Sequence, residues 1–461
     1  MDRKYLFEEA PIMKALATFA VPTIISQIIA MIYNLADTYF VGRTNNPYMV
    51  AAVTLSLSIF MIFNAMGQLF GMGGGTITSR MLGEYKTDEA RNIGAVSFYA
   101  ALVLILVFST CIIIFLDPFI IFLGASSDTI DYVRQYVFWV VGIGGTPTML
   151  SIAMSHLLRS EGYSKEASFG LSMGGVINII LDPLFMFVIL EPGNEVLGAA
   201  LATMISNFLA FFYFIGMYFY LKKNKDLIFS LDIRRVGKGI KHLGKIIYVG
   251  LPSCVGPLIA SVSLSTLNRL CAAHSDIALA ALGIAKKIDM LPVNTGLGLC
   301  QGMVALVAYN SANKNYKRMR QFINTTRTIG VVFACICIVC FEIFAPQLVG
   351  LFIKEEATKA MGITALRIAC VSTPLMICVF HMSFTYQAMG YGFKSLILTA
   401  CRQGLINIPL LFIMDKLFGV VGLYWTQVVC DALLLSVAFV RYFKFQKKLD
   451  LEIEKERASM I

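Results

Sequence analysis

Apolar runs dominate this chain, and only short polar connections separate one run from the next. A helix needs about 20 apolar residues to cross the hydrocarbon core of a bilayer, and these runs are long enough to do so. Charged residues make up only 14% of the 461 residues, whereas soluble domains are usually about 25% charged. The sequence therefore predicts an all-α polytopic membrane protein whose apolar runs are transmembrane helices.

Twelve runs meet this requirement, and the first is predicted to be a span rather than a cleaved signal peptide. It follows Lys14, contains Pro22 and Asp37, and shows no small-residue cleavage site at its end. An even number of spans places both termini on the same side of the membrane. The predicted spans are approximately 15–40, 49–76, 93–116, 132–157, 167–190, 197–221, 246–271, 277–306, 322–345, 360–388, 395–414 and 419–442.

Lysine and arginine are distributed unevenly between the two sides of this predicted topology. Of the 38, 28 lie in the termini and the even-numbered connections, and five lie in the odd-numbered connections. Cytoplasmic loops carry the excess of basic residues, so we expect a cell-membrane protein with both termini in the cytoplasm. The net charge of +10 then follows from topology, and no nucleic-acid partner is predicted.

One long basic stretch, KKNKDLIFSLDIRRVGKGIKHLGK, divides the chain near its middle. It predicts a cytoplasmic linker with an amphipathic piece that lies on anionic lipid. We therefore expect a bundle of six helices over 1–221, a basic linker over 222–245, and a second bundle of six helices with a cytoplasmic tail over 246–461.

The two halves repeat each other. GMGGGTITSRMLGEYK (71–86) aligns without gaps with GMVALVAYNSANKNYK (302–317), and FAVPTIISQ (19–27) resembles VGLPSCVGP (249–257). Further pairs keep an offset of about 224–231 residues: Thr146 with Thr373, Asn178 with Asn407, and Gly198 with Gly422. Both halves start on the same side, so the repeats are parallel, an arrangement typical of transporters with a midplane site and alternating access.

Two carboxylates interrupt the apolar runs of the first half. Asp37 shares a helical face with Tyr33 and Asn34. A carboxylate in hydrocarbon costs at least about 2.5–3.5 kcal/mol, so such residues usually mark functional sites. The alternative for Asp37 is a side chain that reaches the outer membrane surface, because Gly42 ends the span only a few residues later.

The second carboxylate is Asp182, in NIILDP. Asn178 lies one turn earlier on the same face, Pro183 frees backbone carbonyls, and Thr203 could add a hydroxyl from the next helix. Together with Asp37, this ligand set suits a monovalent cation or a proton shared between carboxylates. The alternative for Asp182 is a local Asp-Pro turn that bonds only to neighbouring backbone amides.

The second half offers weaker candidates. Lys286 and Asp289 have the spacing of a helical ion pair, and they could equally contact a substrate. His381 in the tenth span is more typical of a packed histidine than of a transport residue. The spacing of Cys335, Cys337 and Cys340 could suit a metal, but their apolar surroundings favour small buried side chains, and no disulfide framework is predicted.

Several motifs in combination resemble the multidrug and toxic compound extrusion (MATE) family, in particular its bacterial multidrug branch. They are P-x-x-x-x-Q early in span one, DTYFVG at its end, LRSEG after span four and NIILDP in span five. The resemblance extends from about Pro22 to Gly422. It implies two bundles in a V shape and a rocking cycle in which organic cations are exported in exchange for Na⁺ or H⁺.

The resemblance also implies a site. In family members with a cation site in the first half, the ligands correspond to the residues Asp37, Asn178, Asp182, Thr203 and the carbonyl of Ala199, with Tyr33 beside them. Some members carry acids in spans seven and ten, but here span seven has none and span ten has His381. Coupling is therefore expected in the first half. Asn34, Lys286, Asp289 and His381 remain candidate substrate or second-half contacts.

The predicted function is a secondary multidrug antiporter that works without a cofactor and acts as a monomer on small, often cationic substrates. A flippase for lipid-linked oligosaccharides remains open because of the basic residues Arg269, Lys286 and Lys287. The loop motif that a major-facilitator transporter carries after span two is absent from this sequence, and no filter-like repeat indicates a channel. Neither a catalytic constellation nor an ATP-binding loop is present, so no enzyme is predicted.

Overall fold

The computed structural model describes residues 4–44, 46–122 and 125–458, and within these ranges all regular secondary structure is helical. Short π-helical segments lie at Tyr5–Glu9, Val137–Ile143, Phe185–Ile189 and Cys401–Leu405, and a 3₁₀ turn at Ile240–His242. The α-helices are α1 Ile12–Gly42, α2 Pro47–Gly83, α3 Thr87–Ile114, α4 Leu116–Phe122, α5 Ile130–Tyr136, α6 Gly145–Ser160, α7 Ser164–Leu184, α8 Glu195–Asn224, α9 Arg234–Gly239, α10 Leu243–His274, α11 Asp276–Ala312, α12 Tyr316–Gly350, α13 Glu356–Ala388, α14 Gly392–Ala400 and α15 Asn407–Ala458.

The number of membrane-spanning segments depends on two bends. Ten segments of the described chain are long and apolar enough to cross a membrane, or eleven if Ile130–Ile143 and Gly145–Ser160, bent by 45°, form one span. The last two predicted spans, 395–414 and 419–442, both overlap the single segment Gly392–Ala438. Gly419, at the start of the second, has φ 59° and ψ −143°, a conformation that glycine adopts readily. The prediction of an all-α polytopic membrane protein is confirmed.

The helices form two compact units, Ile25–Cys254 and Met1–Ile24 with Val255–Ile461. We call them the N-unit and the C-unit. Their boundaries fall inside α1 and α10, just after Pro22 and Pro252, at positions that the sequence repeat makes equivalent. The units assign the start of α1 and the stretch 222–254 differently from the predicted halves. The predicted division at 221 and 246 follows the repeat and stays a prediction.

The glycine-rich run of α2 packs closely inside the N-unit. A Cβ atom added at Gly73 would lie 2.2 Å from the carbonyl oxygen of Ile246, and one added at Gly74 would lie 2.1 Å from Oγ of Ser97. Only glycine permits such close approaches. The run GMGGGT therefore serves small-residue helix packing.

The basic linker is attached to the N-unit. The carboxylate of Glu161 accepts hydrogen bonds from the backbone N–H groups of Ile228 (2.8 Å) and Phe229 (2.5 Å). Glu89 on α3 pairs with Lys241 at 2.7 Å and with His242 at 2.8 Å. The predicted contact of this linker with anionic lipid stays a prediction.

A comparable attachment holds the segment before α1 on the C-unit. Nε of Arg318 donates to the carbonyl oxygen of Phe7 at 2.7 Å, and Nη2 donates to that of Ala10 at 2.6 Å. The hydroxyl of Tyr309 donates to Oε1 of Glu8 at 2.6 Å. Residues at the start of the chain are thus fixed by helices α11 and α12.

Candidate functional site

The polar candidates of the first half meet inside the N-unit. Helix α1 supplies Asp37, α7 supplies Asn178 and Asp182, and α8 supplies Thr203. Their accessible fractions are 3%, 2%, 0% and 2%, so all four side chains are removed from the surface of the unit. The carboxylate of Asp37 is therefore buried and does not reach the outer membrane surface, which was the alternative that the sequence allowed.

Asn178 connects the cluster through its amide group. Its Nδ2 atom donates to Oδ1 of Asp182 at 3.2 Å and to Oγ1 of Thr203 at 3.2 Å. Asn178 and Asp182 lie four residues apart and therefore share one face of α7. Asp182 thus accepts its described hydrogen bond from the side chain of Asn178. The alternative from the sequence, a local turn in which Asp182 bonds only to neighbouring backbone amides, does not describe this contact.

Three acceptor oxygens of this cluster have no hydrogen-bond donor in the described part of the chain. They are Oδ1 of Asp37, Oδ1 of Asn178 and Oδ2 of Asp182, and all three are buried. Asp37 and Asp182 are close enough to interact electrostatically. Buried acceptors without donors are costly, so this arrangement favours a bound proton or cation as the missing partner.

Two tyrosines border the carboxylates. Tyr33 lies one turn before Asp37, and its hydroxyl interacts electrostatically with both Asp37 and Asp182. Tyr136 is buried beside Thr203 and interacts electrostatically with both carboxylates. Oxygen atoms from α1, α5, α7 and α8 therefore surround one small volume.

Irregular backbone lies directly beside two of these residues. The π-helical segment Val137–Ile143 begins immediately after Tyr136, and the segment Phe185–Ile189 begins three residues after Asp182. Pro183 lacks an N–H group, so the carbonyl of Ile179 loses its usual helical donor. π-Helical turns within α-helices occur frequently at functional sites.

The remaining N-unit candidates differ in their placement. Ala199 is fully buried one turn before Thr203 on α8, and it packs in an apolar cluster with Met186 and Val196. Asn34 is exposed, and its Nδ2 atom donates to the carbonyl oxygen of Ala30 at 2.7 Å within α1. Asn34 is therefore turned away from the buried cluster, and nothing in its contacts connects it with Asp37.

The second-half candidates do not form a comparable cluster. No ion pair joins Asp289 and Lys286 among the described contacts, although the two interact at longer range. Nε2 of His381 lies 2.8 Å from the carbonyl oxygen of Ile323, and the side chain is buried, as expected of a packed histidine. All 11 cysteines are free, and no group of three His, Cys, Asp or Glu residues in the described chain could hold a metal.

Comparison with known proteins decides the family. The MatE family model matches residues 22–184 and 252–413, with one match in each predicted half. The chain belongs to the MATE family. The multidrug export protein MepA of Staphylococcus aureus (strain MRSA252) is 30% identical over 452 residues, which cover 98% of each chain. The protein of the same name from Staphylococcus saprophyticus is 30% identical over 452 residues, again with 98% of each chain covered.

Solved MATE structures share the fold. The crystal structure of MATE in complex with MaL6 superposes with a TM-score of 0.90 at 24% identity, covering 97% of this chain and 99% of that one. An outward-facing multidrug resistance MATE family transporter superposes with a TM-score of 0.88 at 24% identity, covering 97% of this chain and 98% of that one. The family model and the two MepA relatives confirm the family resemblance found in the motifs.

This MATE chain also contains polar residues that its sequence did not single out. Tyr136 was missed because one tyrosine in an apolar span looks like the 18 others. In the C-unit, Arg402 and Asp431 form a buried salt bridge, with Nε and Oδ1 2.9 Å apart. Each is a charged residue inside a predicted span, which is the signal that could have drawn attention to them.

Proposed function

We propose that this MATE protein is a secondary multidrug efflux antiporter that exports small organic compounds, often cationic, in exchange for H⁺ or Na⁺. The observation that carries the proposal is the set of three buried oxygens without donors on Asp37, Asn178 and Asp182. Family membership and the two MepA relatives support the transport of multiple drugs. Antiport and the identity of the ion are the parts that the experiment below addresses.

The coupling site consists of Asp37, Asn178, Asp182 and Thr203, with Tyr33 and the carbonyl of Ala199 beside them. Na⁺ would take oxygen ligands from this set, whereas a proton would be shared between the two carboxylates, which titrate as a pair. Either species supplies the partner that the carboxylates lack. Its binding changes the relative free energies of the inward- and outward-open states, because an ion that binds one state more tightly shifts the equilibrium towards it.

We place the transporter in the cell membrane as a multi-pass monomer with both termini in the cytoplasm. The bias of 28 of 38 lysines and arginines towards one side supports this orientation. The cycle needs no cofactor beyond the coupling ion and no nucleic-acid partner. Access to the site alternates between the two sides of the membrane, as is usual for transporters built from repeats.

The first test is export of ethidium, measured as its uptake into energised everted vesicles because their cytoplasmic face is outside, with Na⁺ and pH gradients imposed separately. Wild type should respond to one of the two gradients, which identifies the ion. Asp37→Asn should abolish this gradient-driven efflux while the protein still reaches the membrane. Asp128→Asn is the matched control, since it makes the same chemical change at an exposed residue outside the cluster, and it should leave efflux intact.

Full efflux in Asp37→Asn would contradict the coupling role of the cluster. No wild-type efflux under either gradient, with the protein confirmed in the membrane, would contradict drug antiport. In that case, transport of a lipid-linked oligosaccharide becomes the function to test.

A further inference from the structure

A polar network lies buried in the C-unit around Asp431 of α15. Arg402, in the π-helical segment Cys401–Leu405, approaches both carboxylate oxygens, with Nε 2.9 Å from Oδ1 and Nη2 3.2 Å from Oδ2. Oγ of Ser372 donates to Oδ2 at 2.8 Å, and Nε2 of Gln427 donates to Oδ1 at 3.2 Å. The two charged side chains are 7% and 0% accessible. The carboxylate is therefore fully supplied with donors.

The network continues to helix α10. Nδ2 of Asn407 donates to Oε1 of Gln427 at 2.8 Å, and Oγ of Ser263 donates to Oδ1 of Asn407 at 2.8 Å. The guanidinium carbon of Arg402 lies 4.6 Å from the ring centroid of Phe380. The cation is thus held between an aromatic face and a carboxylate, a geometry that suits arginine better than lysine.

The repeat relates this network to the N-unit cluster. Asn407 is the counterpart of Asn178, and the pairing of Gly198 with Gly422 makes Gln427 the counterpart of Thr203. In both units the asparagine amide donates to this partner, at 3.2 Å in the N-unit and at 2.8 Å in the C-unit. The same asparagine-centred hydrogen bond therefore occurs in both units.

The charges around these two hydrogen bonds differ. The repeat places Leu267 at the counterpart of Asp37 and Leu411 at that of Asp182, while Asp431 corresponds to Asn207. No basic side chain is paired with Asp37 or Asp182 in the described ranges, whereas Asp431 is paired with Arg402. Asp289 of α11 is in electrostatic range of both members of this pair, and Lys286 is in electrostatic range of Asp289.

We propose that Arg402 is a tethered cation that fills a second, latent binding site for a small monovalent cation in the C-unit. The ligands of this site are Asp431, Ser372, Gln427 and Asn407, and the guanidinium group supplies the positive charge that an ion would supply in the N-unit. The inference rests on the proposed function, because the class of ligand is taken from the N-unit cluster. In this proposal, Arg402 limits each chain to one ion-binding site.

The test uses purified full-length protein and measures the dependence of its melting temperature on cations. Arg402→Gln is made in an Asp37→Asn background, which silences the first site. NaCl is exchanged for choline chloride at constant ionic strength, and a separate pH series without Na⁺ distinguishes protons from Na⁺. The triple variant that also carries Asp431→Asn is the control, because it lacks the carboxylate of the latent site.

We expect Asp37→Asn alone to have lost most of the cation response of the wild type. Adding Arg402→Gln should restore a rise of about 2–4 °C with Na⁺ or with acidification, as expected for ligand that saturates a native-state site. Adding Asp431→Asn should abolish it again. An equal cation response with and without Arg402→Gln, or one that survives Asp431→Asn, would overturn the proposal.

The background variant separates this proposal from the proposed function. If Asp37→Asn keeps the full wild-type cation response, the N-unit coupling site is wrong. The effect of Arg402→Gln is then still measured against its own parent and still tests the latent site. A cation response that is larger after Arg402→Gln than in its parent, and that Asp431→Asn removes, supports the latent site in either case.

A second variant covers a failure of Arg402→Gln to fold. Arg402→Ala leaves space for a free guanidinium group, so methylguanidinium at millimolar concentration should restore folded protein. Tetramethylammonium at the same concentration has no N–H group to donate to Asp431 and should not. Absence of rescue by methylguanidinium would overturn the role of Arg402 as a replaceable cation.

Discussion

The N-unit and the C-unit contain the same asparagine-centred hydrogen bond, but they treat buried negative charge in opposite ways. In the N-unit, Asp37 and Asp182 keep oxygens without donors. In the C-unit, Asp431 receives donors from Arg402, Ser372 and Gln427. In a duplicated fold, one copy of a buried polar cluster can thus stay available for ligand binding, while the carboxylate of the other copy is neutralised by a side chain of the protein. The difference predicts that equal substitutions in the two units have opposite effects on stability.

Asp431→Asn should have the largest effect on stability. It leaves the guanidinium of Arg402 buried without a counter-ion, and breaking a buried ion pair in this way costs about 3–5 kcal/mol. The measurement is denaturant or thermal unfolding in detergent. Asp131→Asn is the control, because its pair with Arg134 is exposed and should contribute less than about 1 kcal/mol. Equal losses in the two variants would contradict the special status of Asp431.

Asp182→Asn should affect stability in the opposite direction. The new amide can donate to Oδ1 of Asn178, which has no donor now. Satisfying such a group recovers about 1–3 kcal/mol, so the variant should be as stable as wild type or more stable in cation-free buffer. Its melting temperature should no longer depend on the coupling ion. A loss of stability as large as that of Asp431→Asn would remove the contrast between the units.

Tyr136→Phe should have an intermediate effect that is confined to ion binding. It removes a hydroxyl group within electrostatic range of Asp37 and Asp182, and the loss of one neutral polar contact costs about 0.5–1.5 kcal/mol, which corresponds to about a 2- to 12-fold change in affinity. The concentration of the ion needed for half-maximal efflux should rise accordingly. Tyr132→Phe, one turn earlier on α5, is the matched control and should leave this concentration unchanged.

Asn34→Ala should have the smallest effect. The side chain is exposed and bonds only within its own helix, and substitutions of this kind usually change stability by less than about 0.5 kcal/mol. Efflux of ethidium should also be retained. A strong loss of efflux with normal ion dependence would contradict this prediction and would indicate that Asn34 contacts the substrate.

The N-unit cluster was largely predictable because its signals are local. Asn178 and Asp182 are one turn apart on a single helix, and a carboxylate in an apolar run is conspicuous by itself. The convergence of Asp37 and Thr203 on them required the packing of three helices, which the sequence only allowed. The structure brings these four residues together, while their role as coupling ligands stays a prediction.

The C-unit network was not predictable in the same way. Arg402 and Asp431 are 29 residues apart in separate predicted spans, so no helical spacing connects them. Asp289 and Lys286 have a suitable spacing but do not pair, because side-chain direction and competing neighbours decide which contacts form. The number of spans differs from the prediction at two places: the bend between Ile130–Ile143 and Gly145–Ser160, and Gly419, where the helical segment continues through a residue with positive φ.

The attachment of Phe7 and Ala10 to Arg318 has a consequence for biosynthesis. These partners are separated by about 300 residues of chain. At a synthesis rate of about 5–20 residues per second, the first residues wait about 15–60 s before Arg318 leaves the ribosome. During that interval the start of α1 is without the helices that later hold it. Completion of the C-unit therefore requires a segment that is synthesised before the N-unit, and it is a late step in assembly.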